Sequence, residues 1–150
     1  MEIYDCAIYK FFPVKFRGDQ TPVARQGHQA IVLNQYCIIM IGGSYQNSLV
    51  SPEPVPDNDL IWSYDIESGQ WQKIKAKNAG AAEESAKGEK FDVVPWNLVY
   101  HTAFRINEWN IGVIWQDNFS TDQSQENKIM VSVFNCHRCL WRNLKLADVK

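Results

Sequence analysis

Three twelve-residue windows of the chain align without a gap, and any fold it adopts has to accommodate them. They are residues 3–14 (IYDCAIYKFFPV), 63–74 (SYDIESGQWQKI) and 133–144 (VFNCHRCLWRNL). Each has an aromatic at its second place (Tyr4, Tyr64, Phe134) and Asp or Asn at its third (Asp5, Asp65, Asn135). Each also has an aromatic at its ninth place (Phe11, Trp71, Trp141) and an aliphatic at its twelfth (Val14, Ile74, Leu144). The chemistry links these places. A short Asp or Asn side chain accepts hydrogen bonds from backbone amides just ahead of it and so starts a turn. An apolar strand then ends at the first aromatic, and the next strand opens at the second. Each window therefore predicts a β-hairpin, and recurrence of one unit predicts a repeat architecture.

A second correspondence precedes two of the hairpins. Residues 27–43 (GHQAIVLNQYCIIMIGG) match residues 100–116 (YHTAFRINEWNIGVIWQ) in length and two-strand pattern, pairing His28 with His101, Ala30 with Ala103, Asn34 with Asn107 and Ile38 with Ile111. The pair Gly42-Gly43 of the first copy becomes Trp115-Gln116 in the second. Runs rich in Ile, Val, Tyr, Phe and Trp recur between Gly, Pro, Asn and Asp clusters, the pattern of strands separated by turns. Strands are expected over 29–33, 36–41, 60–64, 70–74, 101–106, 111–115, 128–134 and 140–144, which makes the class all-β. Residues 51–58 (SPEPVPDN) hold three prolines and cannot donate a regular ladder, so a loop is expected there. Residues 75–90 (KAKNAGAAEESAKGEK) have almost no large apolar side chains and read as a solvated loop.

The order Arg25, Gly27, His28, Ala30, then Gly42-Gly43, then Asn58-Asp59-Leu60, Tyr64-Asp65, Gly69 and Trp71 resembles a kelch repeat over residues 22–74. Residues 95–146 resemble a degenerate second copy that keeps His101, Phe134, Asn135 and Trp141 but lacks the Gly-Gly pair and the turn glycine. Residues 1–16 resemble only the closing hairpin of a preceding repeat. The resemblance implies antiparallel four-stranded blades arranged in a β-propeller. The organisation expected from it is a hairpin at 1–16, a blade at 17–74, a charged loop at 75–94 and a second blade at 95–150. Two blades and a hairpin fall short of the roughly 4–8 blades that close a ring. The resemblance thus implies a partial, unclosed propeller, completed by a longer chain, by further copies or by a partner. Such a stack leaves strand edges and apolar faces open to association.

A phosphate loop would need a helix after Gly42-Gly43, whereas SYQNSLVSPEPVPDND follows, so the glycines read as a close approach of backbones or a positive φ. Cys136-His137-Arg138-Cys139 has metal-ligand spacing but no second pair to complete a zinc site, and it falls in a hairpin turn. His28 and His101 hold equivalent places, which argues for a repeated core or turn role instead of one catalytic pair. Some kelch-repeat propellers are copper oxidases with tyrosine, cysteine and histidine ligands, but no ordered cluster of that kind stands out here. No catalytic residue, cofactor or metal is expected. Trp71 and Trp141 are expected in the core; Trp62, Trp96, Trp109 and Trp115 fall outside the signature and read as core before interface anchors.

A formal charge of −2 supplies no basic footprint for nucleic acid, and no apolar run reaches the roughly 18 residues needed to span a bilayer. The N-terminus has no signal-peptide pattern, and four scattered cysteines suit a reducing compartment, so a cytoplasmic or nuclear, non-secreted protein is expected. The resemblance implies a protein–protein interaction scaffold without catalysis. Its loops 44–57, 75–92 and 116–127 would carry the contacts. The partners would be proteins, a second copy of the chain or a larger propeller. Two alternatives stand beside it: a propeller enzyme with a channel-facing site, and a split propeller fragment with little function of its own.

Overall fold

The computed structural model describes residues 2–45, 53–77, 94–95, 98–117 and 128–144. Thirteen strands and one 3₁₀ turn follow in order: β1 (Glu2–Asp5), β2 (Lys10–Pro13), β3 (Arg25–Gln26), β4 (Gln29–Asn34), β5 (Cys37–Ile41), β6 (Ser44–Tyr45), β7 (Glu53–Pro54), the 3₁₀ turn Asp57–Asp59, β8 (Ile61–Asp65), β9 (Gln70–Ile74), β10 (Thr102–Arg105), β11 (Asn110–Asp117), β12 (Lys128–Asn135) and β13 (Leu140–Leu144). They form two four-stranded antiparallel meanders, β4-β5-β8-β9 and β10-β11-β12-β13, an isolated hairpin β1-β2, and a small sheet β3-β6-β7. The all-β class read from sequence is observed, with the sheets in an open stack.

The three aligned windows fold alike. Tyr4 faces Phe11, Tyr64 faces Trp71 and Phe134 faces Trp141 across their hairpins. The three ring pairs have centroids 4.8, 5.0 and 5.0 Å apart, tilted by 45°, 45° and 46°. The turns repeat as well. Asp5 Oδ1 accepts from the Ala7 amide at 2.8 Å, Asp65 Oδ1 from Ser68 at 2.6 Å and Asn135 Oδ1 from Arg138 at 2.7 Å. In each, the residue before the second strand is left-handed: Tyr9 (φ 53°), Gly69 (φ 70°) and Cys139 (φ 56°). A side chain in that conformation costs roughly 1–2 kcal/mol but is tolerated, which is why only one of the three turns carries glycine.

The meanders stack face to face around one apolar cluster. Alternation along the strands puts Ile31, Leu33, Ile39, Ile41 and Ile61 of the first sheet against Ile111, Val113, Trp115, Phe134 and Trp141 of the second. Backbone and side-chain bonds cross the junction. Lys77 N donates to Cys139 O at 2.8 Å, and Arg105 Nη1 donates to Leu33 O at 2.9 Å. The opposite face of the first sheet holds Met40, Trp62 and Tyr64, all buried, and Phe16 lies edge-on to Tyr64 at 6.0 Å.

Two expectations are corrected. The proline-rich segment is not wholly irregular, because Glu53–Pro54 pairs with Ser44–Tyr45. Being an edge strand, it can lack a donor on its open side, and the Val55 amide supplies a bond to Gly43 O at 3.0 Å. The second-copy strand expected over 111–115 runs on to Asp117, since no glycine pair breaks it. Most of the expected loop at 75–90 lies outside the described residues.

Candidate functional site

Signature residues converge at two places, the glycine pair and a buried carboxylate. β5 ends at Ile41, and Gly42 (φ 69°) and Gly43 (φ 99°) turn the chain into β6. Their amides donate to Leu60 O at 2.8 Å and to Leu98 O at 2.7 Å, and the Tyr100 amide donates to Gly27 O at 2.9 Å. A Cβ on Gly42 would lie 2.2 Å from Leu98 O and 2.8 Å from His101 Cε1. Both reasons expected for the glycines, left-handed backbone and close approach, hold at this one spot. In the second copy the equivalent Trp115 stays in the strand. Its Nε1 donates to Ser132 Oγ at 2.9 Å, and Ser132 Oγ bonds Asn143 Oδ1 at 2.6 Å.

Asp59, on the 3₁₀ turn, is the second centre. Its Oδ2 accepts from Arg25 Nη2 at 2.5 Å and from Tyr45 Oη at 2.8 Å, and its Oδ1 accepts from Trp62 Nε1 at 3.0 Å and Lys73 Nζ at 2.9 Å. Arg25 Nη1 also donates to Asp59 O at 2.8 Å and to Gly42 O at 3.3 Å. The Arg25 and Asp59 side chains are 1% and 6% exposed. Burial would push the carboxyl up, but hydrogen bonds from Lys73 and Tyr45 and the charges of Arg25 and Lys73 hold it below the usual carboxylate range. A carboxylate so saturated has no free lone pair for base chemistry. What it does is structural: it ties β3 and β6, strands of two residues each, to β8 and β9. The sequence marked Arg25 and Asp59, but nothing in a linear pattern joined Tyr45 or Lys73 to them.

The two histidines part company. His101 is buried at the junction, where among the described residues neither ring nitrogen has a partner at hydrogen-bonding geometry, whereas His28 is exposed. Burial lowers the His101 pKa to about 4; a weak offset from the Leu98 backbone opposes this and the charge of His28 adds to it. The fold holds the neutral imidazole, so its contribution is complete above the unfolded pKa of 6.5 and is lost as pH falls from there towards 4. Over that span the loss should reach about 3 kcal/mol. Urea midpoints of the wild type and of His101→Leu, measured from pH 7 to 4, should diverge with that slope. Parallel pH profiles would refute the assignment.

Cys37, Cys136 and Cys139 all pack against the shared core as free thiols. Burial, with Cys37 and Cys139 nearby, pushes Cys136 up to about 12, so the C-x-x-C turn holds a protonated thiol at neutral pH. No group of three His, Cys, Asp or Glu among the described residues is placed to hold a metal ion. Trp62, Trp115 and Trp141 are buried, Trp71 is half-buried, Trp109 is exposed, and Trp96 lies outside the described residues. The loops expected to carry contacts lie largely outside them too, at 46–52, 78–93 and 118–127. Among the described residues no helix is long and apolar enough to cross a membrane.

No family model matches the chain, and no curated protein matches it.

Proposed function

We propose that the chain forms blades of a kelch-type β-propeller and serves as a protein–protein interaction scaffold in the cytoplasm, without chemistry of its own. Three hairpins of one geometry support the blade reading, as do two stacked four-stranded meanders and a glycine pair where one meander meets the next. The observation that carries the scaffold reading is apolar surface left open at both ends of the stack. Ile3 (57%), Phe11 (65%) and Phe12 (43%) are exposed on the hairpin, and Phe104 (43%), Ile114 (40%) and Ile129 (63%) on the second sheet. Exposed large apolar side chains clustered on one element mark association sites.

Hydrogen exchange of the tagged protein, alone and after capture from cells with its co-purifying protein, tests the reading. A stoichiometric partner should slow exchange in β1-β2 or β10-β12. A partner that leaves both ends unprotected, or no partner at stoichiometry, counts against it.

A further inference from the structure

The chain exposes both halves of an interface that it makes once internally. In the stack, the first sheet's inner face is covered by the face of the second sheet that carries Phe134 and Trp141. The repeat register maps that inner face onto the second sheet's outer face: Ile31 corresponds to Phe104, Ile41 to Ile114 and Ile61 to Val131. Ile31, Ile41 and Ile61 are 7%, 0% and 1% exposed, whereas Phe104 and Ile114 are 43% and 40% exposed and Val131 is half-buried. The residues are of the same apolar kind, and among the described residues the cover is what differs.

The covering residues also have an uncovered counterpart. Phe134 and Trp141, at 0% and 1% exposure, correspond to Tyr4 and Phe11, which are 45% and 65% exposed with the same ring geometry. The segment that follows the hairpin docks on the opposite face of the first sheet, with Phe16 over Tyr64 and Trp71 and the Arg17 amide bonded to Gly69 O at 2.9 Å. One molecule cannot bring its two ends together.

We infer that the outer face of β10-β11-β12, centred on Phe104 and Ile114, binds the Tyr4–Phe11 face of the β1-β2 hairpin of a second copy, head to tail. The inference rests on reading the sheets as successive blades. It continues the internal interface by the same pairing of faces. A hairpin alone is marginal in water, so docking also gives the Tyr4–Phe11 face of β1-β2 a cover that the described residues do not supply. Such a contact is heterologous, and closes only if the rotation allows. Each chain supplies three blade positions, the hairpin and two meanders. The smallest assembly that makes the contact is a pair of chains.

Sedimentation of the full chain should give twice the 17.3 kDa mass of one chain. Phe11→Glu and Ile114→Glu, each placing a charge in the contact, should separately weaken association by roughly tenfold or more. Ile129→Glu, at a more exposed place on the same face, serves if Ile114→Glu fails to fold. An equimolar mixture of a Phe11→Glu chain with an Ile114→Glu chain should recover a pair held by a single contact, because one intact head meets one intact tail while the other head and tail both carry the charge. A wild type that sediments as one chain at every concentration overturns the inference. So does a pair indifferent to both substitutions, or a mixture that recovers nothing. A single-chain mass with a foreign partner protecting β10-β12 would sink self-association and keep the scaffold reading. Recovery by mixing without any foreign partner would do the reverse.

Discussion

Asp59→Asn should cost about 3–5 kcal/mol of folding stability, the usual consequence of removing one member of a buried ion pair. The asparagine keeps the volume, and its one carbonyl oxygen can still accept from Trp62, but the amide nitrogen that replaces the other oxygen cannot accept from Tyr45. Nor can it neutralise Arg25, whose side chain is 1% exposed and whose Nη2 points at the lost oxygen. Domains of this size carry about 5–15 kcal/mol in total, so the variant should sit near the edge of folding at room temperature. Lys73 shares the same carboxylate but its side chain is 32% exposed. Solvent screens it, and Lys73→Met should cost about 1 kcal/mol or less. Adding Arg25→Met to Asp59→Asn should recover part of the loss, since the orphaned charge is then gone. The acid limb provides a second check. The depressed Asp59 pKa contributes stability above the ordinary carboxylate range that is lost as pH falls through the folded value, so Asp59→Asn should flatten that limb. Urea unfolding measures all of this, and an Asp59→Asn variant within about 0.5 kcal/mol of wild type would show that the network is not what holds β3 and β6.

Local chemistry was legible in the sequence, and long-range chemistry was not. The hairpins were readable because their determinants lie within twelve residues: Asp65 reaches Ser68 and Tyr64 meets Trp71 whatever the rest of the chain does. Strand 29–33 was found nearly to its ends because Ile31 and Leu33 alternate with polar neighbours. Glu53–Pro54 was missed because a two-residue edge strand has no periodicity and is specified by its partner, Ser44–Tyr45. The Asp59 centre was half visible. Arg25 and Asp59 stood out in the resemblance, but Tyr45 and Lys73 join them only in three dimensions. The histidines show the same limit from the other side. Equivalent sequence places gave His101 a covering sheet and left His28 without one, because burial depends on what lies beyond the repeat.

Among the described glycines Gly42→Ala should be the most damaging substitution, and Gly69→Ala separates its two causes. Both residues are left-handed, at φ 69° and 70°, so both pay the same conformational cost, roughly 1–2 kcal/mol for a side chain. They differ in space. Around Gly69 the nearest atom to a new Cβ is Lys15 O at 3.6 Å, ordinary contact. Tyr9 and Cys139 already carry side chains at the equivalent place, so Gly69→Ala should cost about 1 kcal/mol, less whatever the unfolded chain loses in freedom. At Gly42 the new Cβ would meet Leu98 O at 2.2 Å and Leu98 Cβ at 2.7 Å. Neither can swing away as a long side chain could, because Leu98 O accepts the Gly43 amide and Leu98 is 1% exposed in the shared core. Relief requires the backbone at Leu98, just ahead of the second sheet, to back off, at an overpacking cost of about 1–3 kcal/mol beyond the dihedral term. The damage should also be local. Amides of Gly43 and Tyr100, which donate across the junction, should lose exchange protection first, while those pairing β11 with β12 should follow only at global unfolding. Equal losses at Gly42→Ala and Gly69→Ala would mean that the glycine pair serves its turn alone and that the contact with Leu98 is incidental.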